Sequence, residues 1–143
     1  MEKLKPGFVL FDLDGTLIDS VPDLAYCVDE MMKQLGMPIR GEDAVRNWVG
    51  NGVQRLTERA LINSVEGMTD QNLMDKAYPI FLELYKNNYS QRSIIYDGVI
   101  EVVEWIITQG YRVSFLNNNA ERFPHTIVHY KGLNNNFYCF VPG

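Results

Sequence analysis

The chain has 143 residues, of which 46% are hydrophobic and 22% are charged, and its formal net charge is −5. This balance is typical of a folded protein with an apolar core and argues against an intrinsically disordered chain. The negative charge argues against nonspecific binding to nucleic acid, and no segment is long and apolar enough to span a membrane. With two cysteines and no recognisable export signal, the chain is predicted to be a cytoplasmic protein with reduced thiols.

The first predicted element is a short buried strand. Residues 7–13 (GFVLFDL) form a nearly continuous apolar run, which is typical of a strand covered on both faces in a parallel sheet. Asp14, Gly15 and Thr16 follow at once, and the glycine allows the chain to turn sharply there. The sequence therefore predicts a strand that ends in a tight turn with two carboxylates, those of Asp12 and Asp14.

A series of helices is predicted next. Ser20 is a candidate N-cap, and Asp23, three residues later, would complete a capping box. The apolar side chains of this first helix repeat at helical spacing up to Gly36, its predicted C-cap. Further helices are predicted over residues 42–49, 53–61 and 70–89. Pro79 is predicted to kink or interrupt the last of them, because proline lacks an amide hydrogen.

In the last third of the chain, helices and strands alternate. Asp97 is the predicted N-cap of a helix that ends at Gly110. The elements after it are predicted over residues 111–116 (strand), 121–131 (helix) and 137–141 (strand). This alternation predicts a Rossmann-like α/β core with a parallel sheet. The core is assigned to residues 1–16 and 92–143, and the purely helical residues 17–91 are interpreted as a cap domain inserted after the first strand.

The two acids at the end of the first strand are the candidate catalytic residues. In open α/β sheets, ligands bind outside the carboxyl ends of the strands, which is where Asp12 and Asp14 are predicted to lie. One carboxylate can act as a nucleophile or metal ligand while the other transfers protons. The alternative is that both acids only cap a turn. The apolar strand before them argues against this, because burying charge at a strand end is costly.

The motif around these acids resembles a known family. Residues 12–17 (DLDGTL) resemble the first motif of the haloacid dehalogenase superfamily, DxDGT(L/V). Residues 11–20 (FDLDGTLIDS), 48–52 (WVGNG) and 58–61 (ERAL) are also similar to bacterial phosphoglycolate phosphatases. The resemblance implies hydrolysis of a small phosphorylated metabolite, 2-phosphoglycolate in that group, through an aspartyl-phosphate on Asp12. It also implies proton transfer by Asp14, Mg²⁺ bound by the Asp12 carboxylate and the Asp14 carbonyl, and turn amides around Gly15 and Thr16 that hold the phosphate.

Further binding positions follow from the resemblance. The family's second motif places a serine or threonine hydroxyl where this chain has Asn117, and Asn118 matches the asparagine that usually follows. An asparagine amide can donate a hydrogen bond but is bulkier, so weakened phosphate binding is expected. In the cap, the face with Trp48, Asn51 and Arg55 is a candidate for substrate contact. Asn51 is the better candidate because it lies in a glycine-flanked loop, and packing of Trp48 between cap helices stays open as an alternative.

The family's third and fourth motifs, a lysine and further acids, are expected beyond residue 143, so the predicted core is truncated. Mg²⁺ held by one carboxylate should bind weakly, and the first strand should present an unpaired apolar edge. The rival to a phosphohydrolase is therefore a catalytically incomplete remnant that self-associates through this edge or binds a partner. A phospho-acceptor module is a further alternative, against which the DxDGT motif and the inserted cap argue.

Overall fold

The computed structural model describes residues 7–116 and 137–140. The chain divides into two compact units: Ser20–Ser93 forms the helical unit, and the described residues on either side of it form the sheet unit. In chain order the elements are β1 (Phe8–Asp12), β2 (Ile18–Asp19), α1 (Val21–Gln34), α2 (Glu42–Trp48), α3 (Gly52–Ile62), α4 (Gln71–Asn88), β3 (Ile94–Ile95), α5 (Val99–Thr108), β4 (Arg112–Leu116) and β5 (Phe137–Phe140). None of the helices found in these ranges combines the length and apolar character needed to cross a lipid bilayer.

The sheet unit is built on three parallel strands in the order β1-β4-β5. Asp12, the last residue of β1, pairs with Leu116, the last residue of β4, so both strands end at the same edge. Parallel neighbours need a crossover connection, and α5 is the helix that leads into β4. Val103 and Ile106 of α5 are buried, as is Val113 of β4. The predicted α/β class with a parallel sheet is confirmed.

A short antiparallel pair lies where the chain leaves the sheet unit and where it returns to it. β2 pairs with β3, and Asp19 stands opposite Ile94. The sequence does not predict either strand, because two residues show no periodicity. The helical unit accordingly spans Ser20–Ser93, whereas the predicted cap covers residues 17–91.

The helical unit packs α2, α3 and α4 against α1. Every one of these helices contributes fully buried side chains: Val28, Met31 and Met32 from α1, Val45 from α2, Leu56 from α3 and Phe81 from α4. The rings of Phe81 and Tyr85 stack with centroids 5.9 Å apart. The predicted ends of α2, α3 and α4 each lie within one residue of the observed ends, because their apolar positions repeat at helical spacing.

Two details of the helices differ from expectation. The predicted interruption at Pro79 is wrong, because α4 continues through this residue as a single helix whose buried apolar face outweighs the loss of one backbone hydrogen bond, while the predicted kink stays a prediction. The N-cap of α5 is Gly98 and not Asp97, since this position has a φ of 80°, which glycine adopts readily. Asp70 caps α4, and its side chain accepts a hydrogen bond from the Leu73 amide at 3.2 Å.

The carboxylate of Asp23 connects the two ends of the helical unit. It is 1% exposed and accepts hydrogen bonds from the backbone amides of Arg92 at 2.8 Å and Ser93 at 2.9 Å, and from the Ser93 hydroxyl. The predicted capping box is wrong, since the Ser20 side chain makes no capping hydrogen bond. A buried carboxylate is better satisfied by these three donors than by the single amide of a capping box. We call Asp23, Arg92 and Ser93 the Asp23 clasp.

The Tyr26 ring contacts the Asp23 clasp, and the charge of Asp23 acts on the Cys27 thiol. The Arg92 guanidinium lies over the Tyr26 ring, 3.6 Å from its centroid, and 3.9 Å from the Asp23 carboxylate. Burial raises the pKa of the Cys27 thiol to about 12, and the negative charge of Asp23 contributes to this shift. Cys27 is therefore a neutral, unreactive thiol at physiological pH.

Replacing Asp23 with asparagine should destabilise the helical unit. Asparagine keeps one acceptor oxygen, but its amino group faces donors and leaves at least one of them buried without a partner. The unfolding free energy, measured by urea denaturation, should fall by roughly 2–3 kcal/mol. Asp75→Asn is the control, because Asp75 is exposed and the change there should stay below about 0.5 kcal/mol. Equal losses for both variants would contradict the role of the Asp23 clasp.

Strand β1 has an open edge within the part of the chain that the structure describes. It lies at the end of the strand order and pairs with β4 on one side only. Its sequence, FVLFD, carries no charge before Asp12, and the Leu10 side chain is 47% exposed. An apolar strand with unpaired backbone groups is a template for pairing with another chain. Self-association through β1 therefore stays a prediction with a physical basis.

We expect the chain to self-associate and Leu10→Lys to weaken that association, because a lysine on an edge strand opposes pairing with an identical strand. Sedimentation velocity over a range of protein concentrations measures both effects. Met68→Lys is the matched control, since Met68 is 86% exposed but lies in the helical unit. A monomeric wild-type chain, or equal weakening by the two substitutions, would argue against an interface at β1.

Candidate active site

The candidate nucleophile, Asp12, lies at the carboxyl edge of the sheet. It is the last residue of β1, opposite Leu116 in β4, and its side chain is exposed. The next residue, Leu13, is fully buried, and Asp14 after it is half-buried. Leu13 thus fixes the strand end to the interior of the sheet unit while Asp12 faces solvent. A carboxylate at this edge stands where open α/β sheets bind their ligands.

A tight turn follows β1 and is organised by the Leu13 carbonyl. This oxygen accepts hydrogen bonds from the amides of Leu17 at 3.0 Å and Ile18 at 3.1 Å, and a weaker one from Thr16 at 3.4 Å. Gly15 has a φ of 78°, and its amide donates to the Ile18 carbonyl at 2.8 Å. Since residues with a side chain adopt this conformation only at a cost, the turn favours glycine at position 15.

These hydrogen bonds change the expectation that the Gly15 and Thr16 amides hold a phosphate. Both amides donate within the turn, although the Thr16 bond is long. The Thr16 side chain is exposed, so its hydroxyl is the group this residue can offer to an anion. Gly15 thus shapes the turn, phosphate binding by the turn at Gly15 and Thr16 stays a prediction, and Thr16 can contribute to it through its side chain.

The donor set at this strand end fits part of a magnesium site. In residues 7–116 and 137–140, no three acidic, histidine or cysteine side chains are grouped so that they could hold a metal ion. Mg²⁺ nevertheless often takes only one or two carboxylates from a protein and completes its shell with water and phosphate oxygens. Asp12 and Asp14 are suited to such a partial site and cannot form a closed one by themselves.

The predicted phosphate-binding residues Asn117 and Asn118 lie outside the described residues. β4 ends at Leu116, directly before them and at the same sheet edge as Asp12. Their contact with a phosphate therefore stays a prediction that rests on the resemblance and on this register.

The candidate substrate contact Asn51 belongs to the helical unit, whereas Asp12 and Asp14 belong to the sheet unit. It is exposed, and it is the N-cap of α3 without a capping hydrogen bond from its side chain. It lies between Gly50, with a φ of 117°, and Gly52, with a φ of 83°. Trp48 is 6% exposed, so its side chain packs inside the helical unit, as the alternative interpretation proposes.

Arg55, the third residue of the predicted substrate face, forms hydrogen bonds within the helical unit. Arg55 pairs with Glu58 and donates to the carbonyls of Gly67 at 2.8 Å and Val65 at 3.3 Å. It therefore stabilises the loop between α3 and α4. Sequence patterns also give no role to Arg59, although its guanidinium contacts two separate backbone segments.

Comparison with known proteins identifies relatives along almost the whole chain. Residues 9–141 match the family model described as haloacid dehalogenase-like hydrolase. A phosphoglycolate phosphatase from Nitrosococcus oceani is 48% identical over 139 residues, which cover 97% of this chain and 62% of that protein.

Solved structures agree with the fold. The crystal structure of a predicted phosphoglycolate phosphatase from Haemophilus somnus is 28% identical, with a TM-score of 0.74 and coverage of 93% of this chain and 62% of that one. A second crystal structure, from Lactobacillus delbrueckii, has a TM-score of 0.80 at 17% identity and covers 96% and 66% of the two chains. The present chain thus spans 62% to 66% of the length of these proteins.

Gly15→Ala should destabilise the sheet unit through backbone strain. A Cβ at this position would meet no atom within 4 Å, so the cost arises from the φ of 78° alone. Urea denaturation should show a loss of roughly 1–2 kcal/mol in unfolding free energy. Gly7→Ala is the control, because its Cβ also meets open space and its φ is not positive. A neutral Gly15→Ala would show that the turn after Asp12 tolerates a side chain.

Proposed function

Because this chain belongs to the haloacid dehalogenase-like hydrolase family, we propose that it carries the nucleophile of a phosphohydrolase and that this nucleophile is Asp12. The observation that carries the proposal is the position of Asp12, exposed at the carboxyl end of β1 within the motif that the family shares. An exposed carboxylate next to a fully buried residue is oriented by the fold and accessible to a substrate.

In the proposed reaction, a carboxylate oxygen of Asp12 attacks the phosphorus of a phosphomonoester, and the bond from phosphorus to the ester oxygen breaks. Asp14 gives a proton to the leaving oxygen. Asp14 then takes a proton from a water molecule that attacks the phosphorus of the aspartyl-phosphate, which releases phosphate and restores Asp12. Two displacements replace one difficult displacement, and the same carboxyl group serves as acid and then as base.

Asp12 and Asp14 are also proposed to hold Mg²⁺, through the Asp12 carboxylate and the Asp14 backbone carbonyl. When bound, the cation supplies positive charge against the phosphate oxygens. This charge is needed, because an aspartate and a phosphate dianion repel each other at close range. Thr16, Asn117 and Asn118 are proposed as hydrogen-bond donors to the phosphate, and Gly15 is proposed to shape the backbone turn that holds it.

The proposed substrate is a small phosphorylated metabolite of the cytoplasm, 2-phosphoglycolate. The support for this choice is the relative from Nitrosococcus oceani, which is named a phosphoglycolate phosphatase and is 48% identical. Asn51 is proposed to contact the part of the substrate that does not react, since its side chain is exposed in the helical unit. The chain spans 62% of that relative, so both the substrate and the activity are proposals for this chain.

The test is hydrolysis of 2-phosphoglycolate and p-nitrophenyl phosphate with Mg²⁺, and Asp12→Asn should abolish it. The wild-type chain should turn over well below about 1 per second. In residues 7–116 and 137–140 no three metal-binding side chains are grouped, so we expect Mg²⁺ to be held weakly, and weak electrostatic support of the phosphate costs on the order of a hundredfold in rate. Single-turnover assays at high protein concentration keep such slow hydrolysis measurable.

Asp97→Asn is the matched control, because Asp97 is an exposed acid of the same unit and lies outside the motif. It should retain the wild-type rate. Borohydride reduction followed by mass spectrometry should detect homoserine at position 12 in the wild-type chain incubated with substrate. Hydrolysis retained in Asp12→Asn, or homoserine formed at another acid, would refute Asp12 as the nucleophile.

A further inference from the structure

The two cap segments that resemble phosphoglycolate phosphatases are joined by a hydrogen bond. Arg59, in residues 58–61, donates from its guanidinium to the carbonyl of Trp48 at 2.5 Å, in residues 48–52. A second nitrogen of the same group donates to the carbonyl of Val65 at 3.0 Å. The Arg59 side chain on α3 therefore links the end of α2 to the loop after α3 by hydrogen bonds.

The Trp48 carbonyl is a group that needs such a partner. Trp48 is the last residue of α2, and the last carbonyls of a helix receive no hydrogen bond from an amide of the same helix. A guanidinium at this end also complements the negative end of the helix dipole. The bond is partly buried, so water competes with it less than at an exposed helix end.

The loop after Trp48 depends on how its ends are held. Gly50 and Gly52 both have positive φ, a conformation that glycine enters and leaves at little cost, so the loop backbone does not by itself restrict Asn51. At the far end, α3 begins at Gly52. At the near end, the backbone is held by the buried Trp48 ring and by the Arg59 hydrogen bond.

We infer that Arg59 is a positioning residue for residues 49–52 and thereby presents Asn51 to the substrate. The inference rests on the proposed function, because it needs Asn51 as a substrate contact. Arginine suits the role since its planar fork reaches two carbonyls at once, whereas a lysine ammonium keeps the charge without this geometry. Arg59 acts on the reaction only through the loop.

The chain offers a matched control in Arg40. Its guanidinium also donates to backbone carbonyls of α3, those of Ala60 at 2.7 Å and Leu61 at 3.4 Å. Arg40→Gln therefore removes a similar arginine-to-carbonyl contact in the same unit, but one made with carbonyls of the last turn of α3 and not with the carbonyl of Trp48.

The first readout is amide hydrogen exchange in the 143-residue chain, followed by NMR. The Val49 amide donates to the Val45 carbonyl at 3.1 Å and reports fraying of the end of α2. Arg59→Gln should speed its exchange about tenfold or more, with a smaller change in Arg59→Lys, while Arg40→Gln leaves it near the wild-type rate. An unchanged Val49 amide, or equal acceleration in Arg59→Gln and Arg40→Gln, would overturn the inference. If Arg59→Gln fails to fold, Arg59→Lys decides in the same way.

The second readout separates KM from kcat for 2-phosphoglycolate. Arg59→Gln should raise KM about tenfold with kcat within about twofold, because a mispositioned contact lowers substrate binding and leaves Asp12 intact. Val49 exchange accelerated with KM unchanged would overturn the role toward substrate. A wild-type chain with no single-turnover hydrolysis would refute the proposed function, and the exchange data would then still decide whether Arg59 holds the loop.

Discussion

The architecture depends on the buried carboxylate of Asp23. The chain leaves the sheet unit after β2, forms the four helices α1 to α4 and returns at β3. At the end of this helical segment, the amides of Arg92 and Ser93 donate hydrogen bonds to the Asp23 carboxylate. Because both ends of the helical unit are fixed to one carboxylate, β2 and β3 can pair directly outside it. A long insertion is thereby compatible with a sheet in which β1 and β4 are neighbours.

The candidate chemistry depends in turn on that neighbourhood. Parallel pairing in register puts the last residues of β1 and β4, Asp12 and Leu116, side by side. A sharp turn held by the Leu13 carbonyl then separates an exposed acid from a half-buried one two residues later. This arrangement gives two carboxyl groups different environments, which is what a nucleophile and a proton-transfer group require. Residues 12–17 resemble the first motif of the haloacid dehalogenase superfamily, and the proposed division of labour between Asp12 and Asp14 rests on that resemblance.

Local patterns in the sequence predict much of the fold, whereas contacts between distant segments are not predictable from them. The apolar run of β1 and the helical spacing of apolar residues in α2, α3 and α4 each depend only on which side chains of that one element are buried. The bounds of these four elements are therefore predicted closely. Asp23 is wrongly assigned to a capping box, because its partners lie 69 and 70 residues further along the chain. The bond from Arg59 to Trp48 is missed for the same reason. In the candidate site, the DxDGT motif selects Asp12 and Asp14 as candidates, but the hydrogen bonds that the turn amides donate depend on backbone geometry that residue types do not encode.

The Asp23 clasp also has a consequence for how the chain folds. Phe8 and Arg112 pair across 104 residues (112 minus 8), and closing so long a loop is a large entropic barrier to parallel strand pairing. If the helical unit forms first, its clasp removes the sequence separation of 70 residues from Asp23 to Ser93 from that loop. The closure entropy scales with the logarithm of loop length, so this shortening from 104 to 34 residues lowers the barrier by roughly 1 kcal/mol. The insertion then acts as a folding nucleus that speeds formation of the sheet it interrupts.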